Sequence, residues 1–231
     1  MHAAAPTTPA PTLAQPSPDA ATKARFWDKI ARKYAADPVA DAVGYERSLE
    51  RTREYLRASQ RVLEIGCGTG STALRLAAHT GSLIATDISP EMIAIAREKL
   101  AAAPQAKLEF AVVDADAPLG GGGRYDVVLA FNILHLVSDL DTSLRGVWDA
   151  LEPGGLLISK TACIAEMSPL VGRVMVPIMR LFGKAPHVVL DLHAVDLAVA
   201  LTRQGFEILA FEFHAAKGRD FRPYIVARKP H

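Results

Sequence analysis

The 231 residues of this chain predict an α/β fold, with a mostly parallel seven-stranded sheet, helices on both faces and a C-terminal antiparallel hairpin. Three observations predict it. From Arg61 to Lys160, short apolar runs alternate with helical stretches, the texture of strand–helix–strand units. The first run ends in a glycine-rich loop, "LEIGCGTG" (Leu63 to Gly70), placed between a strand and a helix. Near the C-terminus, "FEILAFEF" and "RPYIVAR" flank the polar turn "HAAKGRDF" and read as a hairpin.

In chain order, "MHAAAPTTPAPTLAQPSPDAATK" lacks both a basic leader and an apolar core, so it is not expected to act as a secretory signal. Its Ala/Pro/Thr/Ser composition reads as a flexible tail over 1–22. Residues 23–231 then form one domain. In its N-terminal cap (23–57), Phe26, Trp27, Ile30 and Tyr34, then Tyr45, Leu49 and Leu56, recur at helical spacing and predict two helices broken near Pro38. The strand candidates that follow are "RVLEI", "SLIATD", "LEFAVVD", "YDVVLAF" and "GLLISK"; "GSTALRLAAH", "PEMIAIAREKLAAA" and "DTSLRGVWDALEP" are the helices between them. Parallel strands need such crossovers, and strands buried on both faces read as continuous apolar runs.

Residues 163–191 break the rhythm. Met167, Leu170, Val171, Val174, Met175, Ile178 and Leu181 recur every three or four places, with Glu166, Arg173 and Arg180 opposite. This predicts an amphipathic helix, kinked at Pro177, inserted as a lid. A last helix ends at "TRQGF", with Gly205 as its C-cap.

Composition excludes several classes. Twenty-six basic and twenty-five acidic side chains leave a net charge of +1, with no electrostatic footprint for nucleic acid. Two cysteines, Cys67 and Cys163, cannot form a disulfide framework and fit a reducing cytoplasm. No apolar run is long enough to predict a membrane span.

The glycine loop departs from the dinucleotide pattern G-x-G-x-x-G, because its glycines are Gly66, Gly68 and Gly70, with Ser71 where the pattern wants the third. No Lys-Ser/Thr pair follows, which excludes a P-loop. Glu64 at the strand end would repel a diphosphate but suits an amine-bearing ligand. Asp87, ending the next strand in "ATDIS", stands where an acid accepts both ribose hydroxyls. These residues favour a nucleoside with a free ribose and an ammonium group over a phosphate ester.

With these residues in place, the sequence resembles the class I S-adenosylmethionine-dependent methyltransferases, a Rossmann-like superfamily, and most of all the small-molecule branch of ubiquinone and menaquinone biosynthesis. The resemblance runs from about Arg61 to Lys160. "LEIGCGTG" matches the first motif, "ATDISPEMIAIAREK" the ribose-acid motif and "VVDADAPL" the adenine motif. "YDVVLAFNILHLV" matches the fourth strand and "LEPGGLLI" the turn before the fifth. The resemblance implies S-adenosylmethionine as methyl donor and S-adenosylhomocysteine as product. Gly66, Cys67, Gly68 and Gly70 then pass under the methionine portion, which Glu64 orients and Asn132 meets through its backbone. Asp87 takes the ribose, Ile88 and Met92 flank the adenine, Asp114 accepts from its amino group and Ala115 offers backbone. Tyr34 closes over the cofactor.

Methyl transfer from a sulfonium needs chiefly proximity, in-line geometry and exclusion of water. His135 in "NILHL" is the candidate general base for a hydroxyl acceptor, as it lies just past strand four at the carboxyl edge of the sheet. His187, His193, His214 and Lys160 are secondary candidates. The methionine-bearing lid (Met167, Met175, Met179) suits an apolar or aromatic acceptor. No metal is expected: Asp139 and Asp141 in "SDLDTS" read as a helix cap. The expected activity is O-methylation of a small molecule by a cytoplasmic bacterial protein, monomer or homodimer, with peripheral membrane contact for a quinone or lipid acceptor. A noncatalytic S-adenosylmethionine-binding regulator is the alternative; a nicotinamide oxidoreductase is disfavoured by the loop.

Overall fold

The computed structural model describes residues 20–119, 124–166, 186, 188–216 and 221–231. Its sheet has seven strands in the order β3-β2-β1-β4-β5-β7-β6. They are β1 (Arg61–Ile65), β2 (Ser82–Asp87), β3 (Leu108–Val112), β4 (Tyr125–Phe131), β5 (Leu151–Lys160), β6 (Glu207–Glu212) and β7 (Tyr224–Arg228). β1 pairs in parallel with both β2 and β4, and β7 runs antiparallel between β5 and β6. Chain order reverses at β1 and β4, so their carboxyl ends open a crevice of the kind where α/β sheets bind ligands.

Alternation along the strands builds two cores. Leu63, Val128 and Ala130 face α5 (Leu140–Ala150) and α6 (Ala194–Gln204). Val62, Val127 and Leu129 pack on the other side, with Leu49 of α2 (Ala42–Tyr55), Leu76 of α3 (Ser71–Leu76) and Ile93 of α4 (Pro90–Ala102). α1 (Ala20–Ala36) lies on α4, where Ala31 meets Met92 and Ile95. It already begins at Ala20, three residues inside the segment read from composition as tail.

Local chemistry sets the helix starts. Asp41, Ser89 and Asp139 each accept a backbone N–H of the first turn, from Gly44, Met92 and Thr142, and Pro90 adds a preset φ to α4. Asp139 thus serves as a cap, and Asp126 ties Arg61 N–H at 2.6 Å. Gly205 ends α6 at φ 104°, a left-handed position. One boundary moves: α5, expected to run on to Pro153, stops at Ala150, since Leu151 turns extended and pairs with Tyr125. Pro153 disfavours helix in the residue before it. Of the expected lid, Met167, Arg173, Met175, Pro177, Met179 and Arg180 lie outside the described residues, as does His187.

Candidate functional site

The crevice is a cavity of about 830 Å³ at the carboxyl ends of β1, β2, β4 and β5, within the usual range for small-molecule sites. Its walls include Tyr34, Glu64, Gly66, Cys67, Gly68, Asp87, Ile88, Met92, Asp114, Ala115, Asn132 and His135. Gly70 is not among them. At φ 73° it turns the chain into α3 with its α-carbon toward the core, where a Cβ would meet the Phe110 ring at 2.5 Å. The Phe110 ring and Ala96 behind it leave no room for a side chain.

The loop leaves β1 through three left-handed glycines, Gly66 (φ 65°), Gly68 (φ 53°) and Gly70, a conformation that side chains disfavour. A Cβ at Gly66 would strike Ile133 at 2.6 Å, whereas one at Gly68 would find only Tyr34 Cε1, at 3.8 Å. The space above Gly68 is therefore open to a ligand. Asp87 braces the loop from β2, accepting Gly68 N–H and Ser89 N–H, each at 2.9 Å. Burial raises the Asp87 carboxyl above its ordinary value despite these bonds. Cys67 ties its amide to Thr86 O at 2.8 Å. Burial, with Glu64 and Asp87 adding, pushes its thiol well up, which makes it a poor nucleophile.

Glu64 is a buried acid whose charged form is disfavoured. It is 2% exposed, and its Oε2 has no hydrogen-bond partner among the described residues. Burial first, then Asp87, raises its pKa to about 8. A buried carboxylate oxygen without a donor costs free energy unless a cation or donor arrives to meet it. An ammonium-bearing nucleoside fits that vacancy in the bonding, and a second carboxylate, Asp87, stands where a ribose would lie. The residues present fit S-adenosylmethionine.

Beyond Asp87, Ile88 is partly exposed and Met92 buried. Asp114 is 5% exposed; its Oδ1 accepts Asp116 N–H at 3.0 Å, and its Oδ2 meets Lys23 Nζ of α1 at 3.3 Å. Lys23 also pairs with Asp116. Asp114 is thus both a turn residue and half of a clamp from α1, while Ala115 is buried beside it. Tyr34, 53% exposed, stands at the mouth.

At the exit of β4, Asn132 has φ 56°, the one non-glycine residue with positive φ among those described, and its N–H donates to Lys160 O at 2.7 Å. Such outliers gather at functional sites. His135 is partly buried, its Nδ1 has no partner among the described residues, and burial drops its pKa to about 4. His193 precedes α6 as a cap residue without a side-chain bond. Lys160, read as a secondary candidate, is 7% exposed and lines the cavity. Its Nζ donates to Ser48 Oγ at 2.9 Å, and that oxygen lies 3.0 Å from His214 Nδ1. Ser48 has no counterpart in the sequence reading, because a serine inside α2 carries no local signal of a site. Among the described residues no cluster of three His, Cys, Asp or Glu could hold a metal, and no helix is long and apolar enough to cross a membrane.

Residues 63–157 match the family model described as "Methyltransferase domain". The ubiquinone biosynthesis O-methyltransferase of Sinorhizobium medicae is 26% identical over 212 residues, covering 85% of this chain and 82% of that one. The hybrid PKS-NRPS synthetase apdA of Emericella nidulans is 37% identical over 105 residues, but these span 42% of this chain and only 3% of that protein. Among solved structures, the N-methyltransferase NodS of Bradyrhizobium japonicum WM9, in complex with S-adenosyl-l-homocysteine, superposes with TM-score 0.67 at 20% identity, covering 89% of this chain and 99% of that one. The [4+2]-cyclase SpnF superposes with TM-score 0.74 at 22% identity, covering 93% and 98%. Residues 63–157 thus carry a methyltransferase domain, and the strand order and the glycine loop braced by Asp87 agree with the resemblance to the class I S-adenosylmethionine-dependent methyltransferases.

Proposed function

We propose that this chain is an enzyme that transfers a methyl group from S-adenosylmethionine to a hydroxyl oxygen of a small, apolar or aromatic acceptor. The observation that carries the reading is the buried, partnerless Glu64 Oε2 at the edge of a loop left open over Gly68. S-adenosylmethionine supplies an activated methyl on a sulfonium, so the protein needs no covalent intermediate. Glu64 holds the ammonium end, Asp87 the ribose hydroxyls, and Ile88, Met92, Ala115 and Asp114 the adenine. Gly66, Cys67 and Gly68 offer backbone, as does Asn132, and Tyr34 covers the mouth. The likeness to an O-methyltransferase over most of both chains favours oxygen as the acceptor atom.

The acceptor's place lies beyond His135 and Lys160. Ile133, Leu136, Ala162, Ile164, Val188 and Val189 line that side, and water excluded by apolar walls strengthens the polar contacts within. Ile164, Pro186, Val188 and Val189 belong to the segment 163–191, which supports a lid over the acceptor. At neutral pH His135 is uncharged and able to accept a hydrogen bond from the acceptor hydroxyl. A conjugate-acid pKa near 4 makes it a weak destination for the proton itself.

Calorimetry with S-adenosylmethionine and with NAD tests the cofactor, and binding of NAD alone would end this reading. Turnover on a panel of phenols, quinols, amines and carboxylates, read as S-adenosylhomocysteine release with product identification, tests the acceptor atom. The likeness to a cyclase favours one second reading, cofactor binding without methyl transfer; binding without release on any panel member would point to it.

A further inference from the structure

We propose that Ser48, His214 and Glu212 form a proton relay that takes the proton of the acceptor hydroxyl from the cavity to the protein surface. The proposal rests on the O-directed reading above, since only an acceptor with a proton to lose needs it.

The relay is a continuous line of hydrogen bonds. Ser48, in the second turn of α2 and 5% exposed, reaches the cavity wall beside Lys160. Its hydroxyl has one proton and two acceptors within reach, Gly44 O at 2.8 Å and His214 Nδ1 at 3.0 Å. Lys160 Nζ donates to the same oxygen at 2.9 Å, which leaves the Ser48 proton free to turn between the two acceptors. His214 is 8% exposed, and its Nε2 lies 2.9 Å from Glu212 Oε2. Glu212 is one-third exposed, so the line ends at solvent.

The imidazole is held at one face and at both nitrogens. Its ring packs on Tyr224 with centroids 4.6 Å apart, and Tyr224 is itself fixed by Thr52, 3.0 Å from its hydroxyl. Arg51 occupies the other oxygen of Glu212 through Nε at 3.0 Å and Nη2 at 2.9 Å, leaving Oε2 for the histidine. Burial works against ionisation of Glu212, but the bonds from His214 and Arg51 win and keep its carboxyl below the ordinary value. A carboxylate facing Nε2 fixes the neutral tautomer with its proton on Nε2, so Nδ1 is the lone pair turned toward Ser48. The carboxylate then stabilises the imidazolium once it forms, as in acid–base pairs elsewhere. Asp41 and Arg222, 4.0 Å apart, also lie near this end of the cavity, and Arg47 donates to Ala215 O at 3.3 Å.

The step balances. As the acceptor oxygen bonds to the methyl carbon, the S–CH3 bond breaks with its electron pair left on sulfur. The acceptor's O–H proton passes to Ser48 Oγ while the Ser48 proton moves to His214 Nδ1. Loss of the Nε2 proton by way of Glu212 leaves the Nδ1–H tautomer. Once the product has left, water in the cavity takes the Nδ1 proton by way of Ser48 while Nε2 regains a proton from solvent through Glu212, which restores the resting tautomer.

Two measurements test the relay. Nitrogen-15 histidine NMR of the cofactor-free protein, recorded as a pH series, is expected to show the neutral His214 ring with its proton on Nε2 and an Nδ1 resonance that moves in Ser48→Ala. A proton on Nδ1 overturns the relay whatever the activity. In turnover, Ser48→Ala and His214→Gln are expected to lose about a hundredfold in kcat on phenols that are un-ionised at the assay pH. They should lose little on nitrophenols already ionised, with S-adenosylmethionine affinity by calorimetry unchanged in both. Equal losses on both acceptor classes overturn the relay alone. Absence of wild-type turnover on every hydroxyl acceptor overturns the O-directed reading and the relay together. Should His214→Gln fail to fold, Ser48→Ala carries the test, since alanine is a good helix residue.

Discussion

The half of the cavity proposed for the cofactor takes its residues, Tyr34 apart, from one stretch, Glu64 to Asn132, and is acidic, with Glu64, Asp87, Asp114 and Asp116 in its walls. The acceptor half joins Ser48 to Lys160 and His214, 112 and 166 positions away, and sets Lys160 and Arg222 into its walls. The contrast separates two ways of building a site. On one side, short loops at successive strand ends bring neighbours in sequence to one edge of the sheet. On the other, a helix laid across the sheet meets the closing hairpin. A cationic donor suits the first, and an acceptor that gives up a proton suits the second.

The largest effect is expected at the hinge of the cofactor half. Gly70→Ala combines a left-handed alanine with a clash against Phe110 and should cost about 3 kcal/mol of stability. Gly68→Ala meets open space in the protein and is expected to weaken S-adenosylmethionine binding more than it lowers the melting temperature. Thermal melts with and without ligand compare them, and equal loss of stability in both would break the distinction between a packed and a ligand-facing glycine.

Next comes the charge on Glu64. Its folded pKa of about 8 lies above the ordinary carboxylate value, so the folded state holds a proton that the unfolded chain has lost. The stability this contributes is complete below the ordinary value of 4.5 and is lost as pH rises through about 8. Glu64→Gln should flatten that slope in the cofactor-free protein while weakening cofactor binding about tenfold or more. Binding of a cation near pH 7 should ionise Glu64 and release a proton, which calorimetry in buffers of different ionisation enthalpy detects. No buffer dependence would mean that Glu64 does not face the ligand's charge.

The smallest effect sharpens the acceptor half. His135→Ala is expected to lower turnover by less than about tenfold, because a base with pKa near 4 contributes little proton transfer at neutral pH. A loss of a hundredfold or more, with Ser48→Ala nearly normal, would return the role of general base to His135.

Much of the fold was legible from the residues alone. The alternation of apolar runs and helices located five strands and the hairpin reading the other two, and Asp139 and Gly205 were read as the helix ends they are. The boundary at Ala150 escaped because Leu151 is as good a helix residue as a strand residue, and its pairing with Tyr125 decides between them. In the site, the spacing of Gly66, Gly68, Glu64 and Asp87 pointed to a nucleoside with an amine because each sits at a strand end whose position follows from the pattern. Gly70 was grouped with the ligand-facing glycines, since nothing local says that Phe110 stands behind it. Ser48 carries no signal in the sequence and His214 only a weak one, since neither has a neighbour in sequence that marks it.

Sequence by itself determined the parallel α/β frame, the glycine loop and the acids that follow it, because these depend on periodicity and on residues a few places apart. Only the tertiary structure decided that Glu64 Oε2 has no partner among the described residues, that burial disfavours the charged form of His135, and that Lys160, Ser48, His214 and Glu212 form one line from cavity to solvent. Burial and contact across more than a hundred residues arise when α2 and the β6–β7 hairpin close on the same edge of the sheet, and no local pattern encodes that meeting.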